Sequence, residues 1–264
     1  MGCANVLEEA SRLAMASALE AIITVPLFAK GLVGISHFFG TKIAPDPQGP
    51  GRNGPSLRVV TVHQVHGTAA LILDRRSASM RSIVAGEGEA STGAHGYDAI
   101  VTNQPGVLVA VETADCVPIL LLDPVRGVAA AVHAGWRGTL DGIVPKTVAV
   151  MQNRFGCSLR SIRAAIGPSI GVCCYEVNGA VLAPLKRGCP YWAEVVEDVK
   201  GTKAHLDLRG LNRRQLEEVG IGPARIESVN LCTACHPDLF YSYRREGAGT
   251  GRMISGIGFT VMLS

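Results

Sequence analysis

Three short stretches carry residues that could do chemistry together. His66 lies in HQVHG, Cys116 in TADCVP and His133 in VHAGWRG. Each sits at the edge of an apolar, strand-like run, where side chains from neighbouring strands can converge on one rim. Two imidazoles and one thiolate suit Zn2+, and three protein ligands leave a fourth position for water or substrate. Taken singly, each residue has a plainer account. A cysteine beside Val117 and Pro118 packs, and a histidine at a strand end is a satisfied polar group. His63 competes with His66 for the ligand role. A strand over Leu57–His63 ends at about His63, so the spacing predicts His66 on the rim and His63 in a structural or supporting place.

Other stretches offer anion-holding or carboxylate chemistry. In HAGWRGT a strand ends at His133, a Gly-bounded turn follows, and a helix is predicted to begin near Gly138. Unbonded N–H groups at that start can hold an anion, and Arg137 adds a charged fork suited to phosphate. Alternatively, Gly135 and Gly138 only permit a tight turn and Trp136 packs the core. IGPSIGVCCYEV offers Glu176 as a carboxylate, or is a rigid turn. CTACHPDLFYSYRREGAGTGRM brings Arg244, Arg245 and Arg252 near glycines, as a second anion-holding loop would. The same stretch spells C-x-x-C-H with Cys232, Cys235 and His236. That pattern is a haem c attachment signal, a metal clip, or neither.

The elements that must position these residues follow from the patterning. Short β-like runs cover Leu57–His63, Ala69–Leu73, Ala99–Val101, Val107–Val111, Val117–Leu122 and Gly127–His133. Turn signals separate them, and most spacings are too short for a crossover helix, so the sheet is predicted to be mixed and largely antiparallel. Helical spacing appears at Leu140–Phe155, with Gly156 as its stop, then at Asn178–Lys186 and Leu208–Val219. A final strand is predicted over Ile254–Met262. The expected architecture is one α/β domain over residues 31–264, layered, with helices covering the sheet.

Residues 1–30 read as a helical extension. Leu7, Ala10, Leu13, Ala14, Ala18 and Ala21 repeat at helical spacing, and Pro26 ends the pattern. Glu8, Glu9 and Glu20 argue against a secretory signal, and Ala21–Ala29 is too short to cross a bilayer. A cytoplasmic location is therefore expected, with no membrane partner, and haem attachment loses its support. The net charge is +3, with 18% charged residues and no basic stripe interleaved with aromatics, which argues against a nucleic-acid partner. The eight cysteines do not form a disulfide-framework pattern in a chain of 264 residues with a sizeable core, and most are expected as buried small hydrophobes.

Taken in order, QVHG, YDAIVTN, TADCVPILLLDP, VAAAVHAGWRGT, AAIGPSIGVCCYEV and CTACHPDLFYSYRREGAGTGRM resemble the YfiH/LACC1 family, whose members are often labelled laccase-domain or polyphenol oxidase proteins. The resemblance runs from about Gly34 to Ser264. It implies a single CNF1/YfiH-like α/β domain and a metal site at His66, Cys116 and His133. It also implies an enzyme acting on purine nucleosides, by phosphorolysis of adenosine, inosine and methylthioadenosine and by deamination of adenosine. Purine nucleoside and phosphate are then the small-molecule partners, with Arg137, Arg244 and the helix start near Gly138 as candidate phosphate holders. Asp98, in YDAIVTN, could orient a ligand or the ribose, or simply cap a turn. The resemblance gives His236 no ligand role, so C-x-x-C-H becomes a coincidence within a structural, pocket-lining segment. Cys232 and Cys235 are expected to be reduced and mostly buried. One departure stands out: Lys42 lies near the place of the family's usual Arg, and a short Pro/Gly loop follows it.

Older descriptions of the family assign copper and phenol oxidation. The seven histidines (His37, His63, His66, His95, His133, His205 and His236) are dispersed without H-x-H pairs, which argues against a multi-copper cluster. Two further alternatives stand beside the nucleoside reading. One is a metal-free cysteine hydrolase using Cys116 and His133, and the other is a partner-binding protein without turnover. Oligomeric state is not legible.

Overall fold

Val117–Asp123 and Val128–Ala134 are buried at every position. That explains why both read as unbroken apolar runs: each strand is covered on two faces. The computed structural model describes residues 22–29, 32, 34–44, 57–76, 83–84 and 96–260. Within it, a seven-stranded sheet has the spatial order Ile226–Ser228, Arg163–Ile166, Val117–Asp123, Val128–Ala134, Ala99–Thr102, Ala70–Leu73, Ile83–Val84. A five-stranded sheet has the order Ile22–Ile23, Ile35–Gly40, Met253–Phe259, Val107–Thr113, Arg58–Val60. Glu176–Val177, Lys203–Leu206 and Val196–Lys200 form a third, small sheet.

Side-chain alternation sorts the central strands into two cores. Ile119, Leu121, Ala130 and Val132 face the helices Ile143–Phe155 and Leu208–Glu218. Leu120, Leu122, Ala129 and Ala131 face the other way, toward Val109, Val111, Ile257 and Phe39 of the five-stranded sheet. The layers are thus sheet, sheet, helices. Leu120 is fully buried between the sheets, and truncating such a leucine to alanine costs about 2–5 kcal/mol.

The mixed, largely antiparallel sheet is observed. Among the described strands, parallel pairing occurs where Arg58–Val60 meets Val107–Thr113, where Ala70–Leu73 meets Ala99–Thr102, and where Arg163–Ile166 meets Ile226–Ser228. Several boundaries differ from expectation. The strand expected to reach His63 ends at Val60, because the chain leaves the sheet to form the loop that carries His66. The helix expected over Leu140–Phe155 is two pieces, Trp136–Leu140 and Ile143–Phe155, separated at Gly142 with φ +81°. Gly156, with φ +68°, ends the second piece as expected. Ile22–Ile23 pairs with Ile35–Gly40, and Val25 and Phe28 are buried between the sheets, so the packed chain reaches further back than the boundary at residue 31. The helix expected over residues 7–21 lies outside the described residues. Among the described residues, no helix is long and apolar enough to cross a membrane.

Candidate metal centre

Antiparallel pairing puts three chain segments at one end of the seven-stranded sheet. Pro118 pairs with His133, so Cys116, just before that strand, lies beside the histidine. Asp98 precedes the next strand over, and its carbonyl accepts the His133 N–H at 2.7 Å. His66 arrives from the loop after Val60 with φ +61°. The donor atoms of His66, Cys116 and His133 all lie within 4.8 Å of one another. The two imidazoles meet edge to face, with centroids 4.8 Å apart. His133 is buried, Cys116 half-buried and His66 exposed, so the group opens outward on the His66 side.

Asp98 organises this arrangement. It is fully buried. Its Oδ1 lies 2.7 Å from His133 Nδ1 and accepts the His66 N–H at 2.9 Å. Its Oδ2 accepts the N–H groups of Gly67 at 2.6 Å and Val65 at 3.3 Å. One carboxylate thus fixes a ring and the loop that carries the other ring. With both oxygens occupied and no exposure, it has nothing to offer a ribose, so that expected role is withdrawn. Burial works against the Asp98 charge, but hydrogen bonds from His133, Gly67 and His66 outweigh it and hold the pKa below the usual range.

Nδ1 of His133 donates to Asp98, which leaves Nε2 available to Cys116 and to a metal. Burial opposes the Cys116 thiolate, yet the bonds and charges of His133 and His66 outweigh it and bring the thiol to about 6. The reverse balance at His133, against burial and driven by Asp98 and Cys116, raises the imidazole to about 9. A site that favours thiolate and positive charge together suits a cation in place of the shared proton. Two oriented nitrogens and a thiolate fit a tetrahedral metal with one open position. Gly135 makes room for them: a Cβ there would lie 2.9 Å from His66 Cδ2 and 3.2 Å from Cys116 Sγ.

Sequence reasoning missed Asp115. It directly precedes Cys116 and holds φ +88°, in the left-handed region. Its Oδ1 accepts the Thr233 hydroxyl at 2.6 Å, and its Oδ2 accepts the Arg244 N–H at 2.6 Å and the Ser242 hydroxyl at 3.1 Å. Its carbonyl accepts the Ile170 N–H at 2.9 Å. Asp115 therefore pins the Cys116 backbone to two distant loops. The signal was present in T-A-D-C, as a carboxylate at the mouth of an apolar strand.

The expected anion holders are placed less simply. The helix after His133 starts at Trp136, not Gly138, and lasts only to Leu140, which is too short for a strong dipole. Gly138 packs instead, since a Cβ there would sit 2.7 Å from Gly67 O. Arg137 is exposed, with its guanidinium 4.4 Å over the Trp136 ring. Arg244 lies 5.3 Å over the Tyr175 ring, and its fork donates to the carbonyls of Cys174 and Glu176. Arg245 donates to Thr233, Ala234 and Phe240 carbonyls, and Arg252 to Thr250 and Gly251 carbonyls. These arginines brace loops, so a second anion-holding loop is not what that stretch forms. Glu176 pairs with Lys203 at 2.8 Å on the small sheet. His63 is exposed and lies outside the three-donor group.

A family model described as "Multi-copper polyphenol oxidoreductase laccase" matches residues 52–260. A purine nucleoside phosphorylase of Bacteroides thetaiotaomicron is 40% identical over 164 residues, covering 62% of this chain and 61% of that protein. Adenosine deaminase RL5, from an unknown prokaryotic organism, is 38% identical over 200 residues, covering 75% of this chain and 74% of that protein. The match thus spans less than two thirds of the Bacteroides relative. The solved structure of YlmD from Geobacillus stearothermophilus superposes with a TM-score of 0.74 at 30% identity, over 92% of this chain and 98% of that one.

Proposed function

The chain belongs to the multi-copper polyphenol oxidoreductase laccase family, and we propose that within it this protein is a zinc-dependent purine nucleoside enzyme. It takes adenosine, inosine or methylthioadenosine with phosphate, and it also deaminates adenosine. The observation that carries this reading is the convergence of His66, Cys116 and His133 within 4.8 Å behind one buried carboxylate. The substrate class comes from relatives whose names are purine nucleoside phosphorylase and adenosine deaminase.

When bound, zinc supplies a Lewis acid with one open position. The chain supplies the rest. Asp98 holds His133 in a single ring orientation, and Asp115 fixes the backbone before Cys116. Arg137, exposed beside Trp136, is the candidate cation for phosphate, and Tyr175, under the Arg244 guanidinium, is the candidate flat surface for the base. In phosphorolysis a phosphate oxygen bonds to ribose C1′ as the bond to the base breaks and the base departs. A cation such as Arg137 lowers the cost of bringing phosphate to that carbon.

Copper chemistry finds less support. Among the described histidines, only His66 and His133 belong to a group able to hold a metal, and a multi-copper cluster needs many more imidazoles. A metal-free reading has one specific observation in its favour: Cys116, His133 and Asp98 line up as nucleophile, base and orienting carboxylate. Protection of Cys116 from alkylation by stoichiometric zinc separates the two readings.

The deciding experiment incubates purified protein with adenosine, with and without phosphate, and follows products by chromatography beside elemental analysis. Adenine and ribose phosphate, or inosine, together with bound zinc support the proposal. Phenol oxidation with copper and no nucleoside turnover overturns it.

A further inference from the structure

The C-x-x-C pair does not stand alone. Cys173 and Cys174 approach Cys232 and Cys235 from a distant stretch of sequence, 62 and 61 residues from Cys235. All four sulfurs lie within 4.8 Å of one another. Cys235 Sγ lies 3.6 Å from Cys173 Sγ and 3.4 Å from Cys174 Sγ. A disulfide needs about 2.05 Å. Four thiolates around zinc, at about 2.3 Å each, lie about 3.8 Å apart. The observed spacing falls near the second value.

Backbone donors surround the first sulfur of the C-x-x-C turn. Backbone N–H groups of Gly171, Ala234 and Cys235 bond to Cys232 Sγ, Gly171 at 3.2 Å. That is how a C-x-x-C turn presents its first sulfur to a metal. Gly171 has little space for a side chain: a Cβ there would lie 3.2 Å from both Cys173 Sγ and Cys232 Cβ. By contrast, Cys157 and Cys189 are buried as single residues within the apolar core.

We propose that Cys173, Cys174, Cys232 and Cys235 form a second metal site, closed and structural, that takes zinc on four thiolates. Binding releases the thiol protons to solvent and forms four Zn–S bonds, with no change of oxidation state. The site clamps the Gly167–Tyr175 loop to the Leu231–Tyr241 segment. Those segments already meet where Ser169 pairs with Cys232 and where the Thr233 N–H reaches the Ser169 carbonyl at 3.0 Å. Both also hold Asp115, so the clamp stiffens the wall behind Cys116.

The test is metal stoichiometry on the full chain, independent of any turnover. Wild type is expected to carry about two zinc per chain, and Cys116→Ala about one, since four thiolates make a complete site. Cys173→Ser, at the exposed sulfur, is also expected to carry about one. Cys116→Ala loaded with cobalt(II) is expected to show strong thiolate-to-cobalt charge transfer. Because Cys116→Ala leaves the four thiols intact, its result stands even if Cys173→Ser does not fold. A Cys116→Ala protein that holds no zinc overturns the proposal. So does a disulfide among the four cysteines that persists, by mass spectrometry, in protein purified with zinc.

Discussion

Asp115 joins the two sulfur-bearing groups, preceding Cys116 and bonding to the loops of the four cysteines, and the groups are held in opposite ways. The His66–Cys116–His133 group has a buried carboxylate behind it, which orients the His133 ring, holds the His66 loop and favours a charged His133. The four-cysteine group has backbone N–H groups behind it. The first brings three donors together with His66 exposed, while the second brings four sulfurs together. Side-chain acids orient donors where a position must remain open for a reactant. Backbone donors suffice where the only task is to stay closed.

The sharpest way to break the comparison is Cys116→Ala. It removes a donor from the open group alone, and nucleoside turnover is expected to fall by more than about a hundredfold, beyond what supporting residues cause. Circular dichroism should remain that of the folded chain. Next is Asp98→Asn, which cannot accept from His133 and the loop N–H groups as a charge does. Zinc affinity of the open group is expected to fall about 10- to 100-fold, read by chelator competition. The cobalt charge-transfer band of the four-thiol group should persist.

Asp115→Asn probes the link between the groups. Asparagine tolerates the left-handed backbone, so the change removes charge while leaving φ permissible. Turnover is expected to fall about tenfold with zinc stoichiometry unchanged; loss of metal instead would show that the link builds the sites rather than tunes them. The smallest effect is at His37. Its Nε2 accepts the Val25 N–H at 3.0 Å, and burial lowers its pKa below 6.5. The folded state thus binds fewer protons than the unfolded one, so stability is full above about pH 6.5 and declines as pH falls from there toward the folded pKa. His37→Gln should flatten a plot of Tm against pH in that window, with metal content unaffected.

Much of this was legible in the sequence. Val117–Asp123 and Val128–Ala134 announced themselves because two-sided burial leaves apolar residues at nearly every position, Asp123 and His133 excepted. Cys116 was legible just before the first run and His133 near the end of the second. Asp115 was legible only as a carboxylate in T-A-D-C; its role rests on Thr233, Ser242 and Arg244, more than a hundred residues on. C-x-x-C-H was read as coincidence, and most of the cysteines as buried small hydrophobes, because no local pattern shows one loop closing onto another. The break at Gly142 was hidden by apolar spacing that continues through both helices.

The pairing of Val117–Asp123 with Val128–Ala134 also bears on folding order. The turn Pro124–Gly127 joins the two strands, so their contact closes a short loop at little entropic cost. Pro118 and His133 pair at the open end of that hairpin, beside Cys116. Two of the three donors therefore meet through the most local contact in the sheet. His66 joins only after a longer-range closure onto Asp98. The hairpin is in effect a half-built chelate, and the slower loop completes it.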